Sequence, residues 1–246
     1  MFSGEDRARL RSDLISGARA DLRVSSAALL GSGAVGREDR WSDIDLALSL
    51  SGEADRANVI ADWTERMYCE HGAVHHLDVG SGKALYRVFL LASTLQVDLS
   101  FWPEPEFRAA GPSFRLLFGT VAKTRAASPP DVEELIGLGW LYALHARSSI
   151  ARGRPWQAEY MVSAARDQVL ALASLRHGLP AREGRGIDDL PADVTAVIAD
   201  ALIGSLDSDR LKRALATITE SLLHEAENAD PNLAGRLAGP LGELGR

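Results

Sequence analysis

The sequence predicts an α+β protein: a small mixed β-sheet with flanking helices, followed by an all-α helical bundle. Three observations carry this. Up to about residue 127, short apolar runs of strand length alternate with stretches of helical periodicity. From about residue 131 onward, nearly every window repeats its apolar residues at helical spacing. Between them stands Ala127-Ser128-Pro129-Pro130, which interrupts regular structure because proline restricts the residue before it. The expected units are residues 1–127 and 131–246.

In the first unit Leu10, Leu14, Ala18 and Leu22 recur at helical spacing, and Val24 to Leu30 reads as a small buried strand running into Gly31-Ser32. Asp43 to Leu50 alternates and reads as a second strand. A helix over about Asp55 to Glu70 follows, with Val59, Ile60, Trp63 and Met67 on one face. Three more strand-like runs come next: Val74–Val79, Ala84–Leu91 and Leu95–Trp102. Gly80-Ser81-Gly82-Lys83 and Ala92-Ser93-Thr94 supply the turns between them. In the second unit, helices are expected over about Asp131 to Arg152, Pro155 to His177, Ala192 to Ile203 and Asp207 to Glu227. Pro155 suits a first helical turn, Gly178 with Pro180 suits an end, and Leu211, Leu215, Ile218 and Leu222 form a core stripe. Short connections between helices imply antiparallel neighbours and hence a bundle. Gly184-Arg185-Gly186 reads as a loop.

With 246 residues, 46% apolar and 25% charged, the chain has the composition of a globular protein. No window approaches the roughly 18 apolar residues of a membrane span. The start, MFSGEDRARLRSDL, is charged from its fifth residue and has no apolar signal core, so a cytoplasmic protein is expected. The lone Cys69 fits a reducing compartment. Of the formal charge of −7, most falls in the second half: residues 1–130 hold 17 acids against 15 bases, residues 131–246 hold 17 against 12. That balance argues against a general nucleic-acid binder and suits a cationic small-molecule partner.

The chemistry is concentrated in GSGAVGREDRWSDIDL, residues 31–46. Side chains alternate along a strand, so Asp43 and Asp45 project from one face while Ile44 and Leu46 turn into the core. Two carboxylates held that close raise each other's pKa unless a cation neutralises them. Hard oxygen ligands, few in number and outside an EF-hand loop, suit Mg²⁺ bound by carboxylates, water and substrate phosphates. Asp98 interrupts another apolar strand, Leu95 to Phe101. If that strand lies beside the Asp43 strand, three carboxylates converge, enough to hold two divalent cations for in-line phosphoryl or nucleotidyl transfer. The Gly31-Ser32 turn lets backbone N–H groups approach phosphate oxygens, the more so if a helix begins near Gly33, and Ser32 adds a hydroxyl donor.

A Gly-Ser turn, a gap of about ten residues and then [DE]-h-[DE]-h resembles the signature of the DNA polymerase β-like nucleotidyltransferase superfamily, matched here by Gly31, Ser32, Asp43, Asp45 and Asp98. The two-part plan is also similar to that of the antibiotic nucleotidyltransferases that act on aminoglycosides and lincosamides. The motif spans about 70 residues, and one position departs from it: where many relatives have Arg in Gly-Ser-x-Ala-Arg-Gly, this chain has Val35. Arg37 or Arg40 is then the candidate for the missing phosphate contact. The resemblance implies that Asp43 and Asp45 hold Mg²⁺ bridging a triphosphate, ATP or another NTP, while Gly31 and Ser32 bind the β/γ-phosphates. An acceptor hydroxyl attacks the α-phosphorus and pyrophosphate leaves. Asp98 completes the metal site or takes the hydroxyl proton as general base.

Lys83 and Arg87, on the hairpin before the Asp98 strand, are further candidates for phosphate contact. On the second bundle helix Glu159, Arg166 and Asp167, with Trp156 and Tyr160 near its start, are candidates to bind the acceptor. His71, His75 and His76 near Cys69 lack the spacing of a zinc site. The expected function is Mg²⁺-dependent transfer of a nucleoside monophosphate to a small hydroxylated molecule, with no nucleic-acid or membrane partner. The alternative, from the same superfamily, is an antitoxin-like protein that adenylylates or binds a polypeptide.

Overall fold

The computed structural model describes residues 1–246 except 53, 110–112, 123–128 and 246. The chain divides into two compact units, Met1–Ala127 and Ser128–Arg246. The division falls where Ala127 and Ser128 lie outside the described residues; Pro129 and Pro130 are described and carry no regular structure.

The first unit is a six-stranded sheet with helices on one face. Its elements are α1 (Gly4–Ala20), β1 (Val24–Leu30), α2 (Gly31–Val35), β2 (Ile44–Leu50), α3 (Arg56–Glu70), β3 (Ala73–Ser81), β4 (Ala84–Leu91), β5 (Gln96–Pro103) and β6 (Phe114–Phe118). The strand order is β3-β4-β5-β2-β1-β6. All pairings are antiparallel except β2 with β5, which run parallel. α1 starts with a capping box, in which the Ser3 hydroxyl accepts from the Asp6 N–H at 3.1 Å and Asp6 accepts from the Ser3 N–H at 3.0 Å. Asp55 caps α3 in the same spirit, accepting from the N–H groups of Ala57 and Asn58.

Alternation decides which face is which. Ile44, Leu46 and Leu48 of β2, Val97, Leu99 and Phe101 of β5 and Phe89 of β4 form one core with Leu10 and Leu14 of α1 and Val59, Trp63 and Met67 of α3. The in-between residues of the same strands therefore face the other way, where, among the described residues, a small cluster of Ala28, Ala47 and Phe107, flanked by Leu30, Trp102 and Phe114, covers part of the sheet. The sequence periodicity located β1 to β5 and α1 and α3 closely. Leu22 departs from it: α1 ends at Ala20, and Leu22 is 96% exposed in the turn that follows.

The second unit is helical: α4 (Val132–Ala151), α5 (Pro155–Arg176), α6 (Ala192–Ala199), α7 (Ser208–Ala229) and α8 (Pro231–Leu244). α4, α5 and α7 pack against one another around Ala143, Ala146, Val162, Ala165, Val169, Leu215, Ile218 and Leu222. Gly139 is where α4 meets α7: a Cβ there would come within 2.8 Å of Leu222 Cδ1. α8 escapes the periodicity reading because Gly235, Gly239, Pro240 and Gly242 are poor helix formers. It forms because Leu241, Leu244 and Ala234 bury against the bundle. α6 stops at Ala199, shorter than the expected run to Ile203. Among the described residues no helix is long and apolar enough to cross a membrane.

One ion pair is built into this bundle. Arg176 of α5 donates from Nε and Nη2 to Glu225 of α7 at 2.9 and 2.8 Å, and Glu225 is 4% exposed. A buried carboxylate that loses its partner is costly, whereas replacing both charges with apolar groups is not. Arg176→Leu is therefore expected to destabilise the protein by about 3 kcal/mol. The double change with Glu225→Leu is expected to recover most of that loss, as read from urea denaturation.

Candidate active site

The parallel pairing of β2 with β5 sets Asp45 directly beside Asp98. Asp43, the residue before β2, comes in on the same side, and one carboxylate oxygen from each of Asp43, Asp45 and Asp98 lies within 4.8 Å of the others. All three side chains are half-buried. Such a trio is repulsive when every member is ionised. Its effect is clearest at Asp98: burial first, and the Asp43 charge as well, push its carboxyl above the usual range, against an opposing hydrogen bond from Gln96.

Gln96, two residues before Asp98 on the same face of β5, was not legible as a site residue. Its amide Nε2 donates to Asp98 Oδ1 at 3.0 Å and reaches Asp43 Oδ2 at 3.5 Å, so a neutral donor bridges two of the three acids. The available signal was its spacing: at i, i+2 from Asp98, alternation places it on the carboxylate face.

The glycine turn joins the trio through Asp45. β1 ends at Leu30, and Gly31 takes φ +58°, a left-handed conformation that favours glycine. A Cβ at Gly31 would also overlap the Asp45 carboxylate. Both requirements select glycine, and they place the start of the next helix against a carboxylate of the trio. That helix, α2, is a single turn and a half, closed by Gly36 in the left-handed region and by Arg37 N–H donating to the Ser32 carbonyl at 3.1 Å. The opening N–H groups of any helix have no partner within it, and here they belong to the Gly31-Ser32 turn.

The loop between turn and carboxylates is held from α1. Arg7, 7% exposed, donates to the carbonyl of Asp39 and, at 3.2 Å, to that of Ser42, and its Nε lies 3.4 Å from Glu38 Oε1. Arg11, one helical turn on, also pairs with Glu38. The loop braces itself as well: Asp39 accepts from Trp41 N–H at 2.8 Å and from the Ser42 hydroxyl at 3.1 Å. The Trp41 N–H and then the Ser42 hydroxyl hold the Asp39 carboxyl below its usual range. Arg7 was readable in principle, because it falls on the Leu10, Leu14, Ala18 stripe of α1, where an arginine must find partners.

The other candidates fall at varied distances from the trio. Arg37 is exposed next to the turn, while Arg40 stacks over Trp41 at 4.3 Å from the ring centroid. Val35 is exposed. Lys83 sits in the turn between β3 and β4 and pairs with Glu106 at 2.9 Å. Leu85 is opposite Phe101, three residues from Asp98, so Lys83 is about 15 Å along the sheet from the trio. Arg87 faces α3, bound to Asp78 at 2.6 and 2.7 Å and to Thr64 at 2.5 Å. On α5, Glu159 accepts from the Ser163 hydroxyl at 2.7 Å and Arg166 pairs with Asp167 at 3.1 Å. Beyond that pair, Arg166 lines one hollow, with Ile187 and Leu190, and Asp167 another, with Asp131, Glu134 and Glu183. Between α1 and α3 lies a cavity of about 820 Å³ lined in part by ion pairs, Arg23 with Asp21 and Asp62, and Arg66 with Glu70, together with Asp13 and His71. Among the described residues, the grouping of acids, histidines or cysteines able to hold a metal is the aspartate trio, not the His71, His75, His76 and Cys69 region.

No protein-family model matches the chain, and no curated protein matches it in sequence. Among solved structures it is similar to an aminoglycoside 6-adenyltransferase from Bacillus subtilis, at 10% identity and a TM-score of 0.42, over 97% of this chain and 98% of that one. It is similar to a nucleotidyltransferase-like protein from Exiguobacterium sibiricum at 15% identity and a TM-score of 0.37, over 94% and 78%. A third neighbour is the CD-NTase CdnG of Bradyrhizobium diazoefficiens, in complex with GTP, at 14% identity and a TM-score of 0.29, over 93% and 73%.

Two outcomes are expected from this geometry. Gly31→Ala forces a side chain into the Asp45 carboxylate at a left-handed position and should weaken Mn²⁺ binding at least tenfold, read by electron paramagnetic resonance, with the fold retained. Asp98→Asn removes a buried, repelled charge. In EDTA it should raise the melting temperature, and it should reduce, without abolishing, the further rise that Mg²⁺ gives the unaltered protein, since Asp43 and Asp45 remain.

Proposed function

We propose that the chain is a Mg²⁺-dependent nucleotidyltransferase, transferring a nucleoside monophosphate, AMP from ATP in the first instance, to a hydroxyl of a small molecule of the aminoglycoside or lincosamide kind. The observation that supports this reading is the aspartate trio, its oxygens within 4.8 Å, set against a glycine turn that a Cβ would fill. Asp43, Asp45 and Asp98 would hold Mg²⁺, a hard cation that takes few carboxylates and completes its shell with water and phosphate oxygens. When bound, it supplies neutralisation of the triphosphate and of the charge that gathers on departing pyrophosphate.

The chain's own residues account for the rest. Backbone N–H groups at Gly31 and Ser32 and the Ser32 hydroxyl meet the β/γ-phosphates. Arg7 keeps the 38–42 loop, and with it Asp43, in register with the turn. The acceptor oxygen bonds to the α-phosphorus as the bond from that phosphorus to the bridging oxygen of pyrophosphate breaks. The hydroxyl proton passes to Asp98, which stands beside Asp45 within the trio, and Gln96 steadies the carboxylate that receives it.

The test is pyrophosphate release by the purified protein with Mg²⁺-ATP, or another NTP, and a panel of aminoglycosides and lincosamides. Asp43→Ala should leave no turnover. Asp98→Ala should lower the rate by about 10²–10⁴-fold, the usual worth of a general base, while nucleotide binding persists. Absence of release with every NTP and every acceptor overturns the reading.

A further inference from the structure

The open face of the sheet continues sideways from the aspartates. Asp45 of β2, Asp98 of β5, Val88 of β4 and Leu77 of β3 stand in one row across four strands. In the row on one side, Ser100 is followed by Tyr86 and Val79; in the row on the other, Gln96 is followed by Leu90 and His75. Directly opposed residues share a face, so Val88, Leu90, Leu77, Val79 and Tyr86 form a floor that begins beside Asp98. Neighbouring strands are about 4.8 Å apart, which places Val88 about 5 Å and Leu77 about 10 Å from the Asp98 backbone.

This floor is open and uncharged. Leu77, Leu90 and Val79 are 61%, 49% and 46% exposed. Scattered exposed apolar residues mean little, but these adjoin one another and a catalytic-type centre, where apolar surface is a ligand surface. The charged residues of the same strands, Asp78 and Arg87, face α3 instead and are bound to each other. A polycation laid on the floor would therefore find no carboxylate among the floor's own residues; those at its borders are the trio, which the metal requires, and Glu106, already paired with Lys83 and Arg108.

We propose that this floor is the acceptor subsite, and that it takes a hydroxyl-bearing molecule with an apolar face rather than a polycationic sugar. The proposal rests on the nucleotidyltransferase reading and narrows it. A ring resting on Val88 and Leu90 leaves a hydroxyl one strand spacing from Asp98, and Leu77 and Val79 support the part of the acceptor that lies farther out.

The experiment uses 4-fluorophenethyl alcohol, a neutral aryl alcohol, watched by ¹⁹F line broadening with the full chain, Mg²⁺ and a non-hydrolysable ATP analogue. Saturable broadening is expected, not reversed by kanamycin, a polycation. Leu77→Glu and Leu90→Glu, both at exposed positions, should weaken it at least tenfold while the melting temperature and ATP-analogue binding stay as they were. Absence of broadening, indifference to the two substitutions, or displacement by kanamycin overturns the proposal. So does a dimer that Leu77→Glu disperses in light scattering, since the floor then belongs to a second copy. Failure of the underlying reading is seen separately, as loss of nucleotide binding or of pyrophosphate release with every acceptor.

Discussion

The parallel pairing of β2 with β5 is the constraint on which the rest of the first unit depends. Among the named strands it is the parallel pairing, and it puts Asp45 and Asp98 side by side. A slip of one residue in that register would turn Asp98 into the core and expose Leu99 in its place. The register is fixed from behind, because Val97, Leu99 and Phe101 must meet the buried side chains of α1 and α3. Hydrophobic packing on one face thus sets the electrostatics of the other. The carboxylates are near neighbours because the apolar residues between them have no other place to go.

The tension so created is distributed among several groups. Asp98 carries part of it as a raised pKa, and the Gln96 amide answers part with a donor shared between Asp98 and Asp43. Gly31 gives Asp45 room by having no side chain. Each of these features costs stability or restricts sequence, and each is understandable if a cation completes the cluster. Real proteins break local rules at functional sites and compensate nearby, and two acids in an otherwise buried strand break a rule in that sense.

Much of this could be read from the residues alone. Alternation and helical spacing placed β1 to β5, α1, α3 and the long bundle helices, because in those segments the apolar pattern and the final burial agree. Asp43, Asp45 and Asp98 stood out as polar interruptions of apolar strands, and their convergence required only the strand neighbourhood. Less visible were the features that depend on tertiary partners. β6 is a five-residue edge strand that exists through its pairing with β1, and α8 is helical through burial rather than propensity. Lys83 looked like a phosphate ligand because sequence distance hides which end of a strand a turn occupies. Arg40, a candidate for phosphate contact, stacks over the neighbouring Trp41 ring, a placement that spacing alone does not show. Gln96 is unremarkable in a sequence and becomes informative only when both of its acceptors are in view.

Arg7 has a practical side. It lies 24 residues before Gly31, in a helix that carries no part of the recognisable motif. Someone reducing this protein to its smallest working piece would naturally start at β1, where the motif begins. That piece would be complete in letters. It would lack the guanidinium that fastens the loop from Glu38 to Ser42, and with it the fixed path between the turn and the aspartates. The leading helix is therefore better regarded as a brace of the centre than as packaging around it.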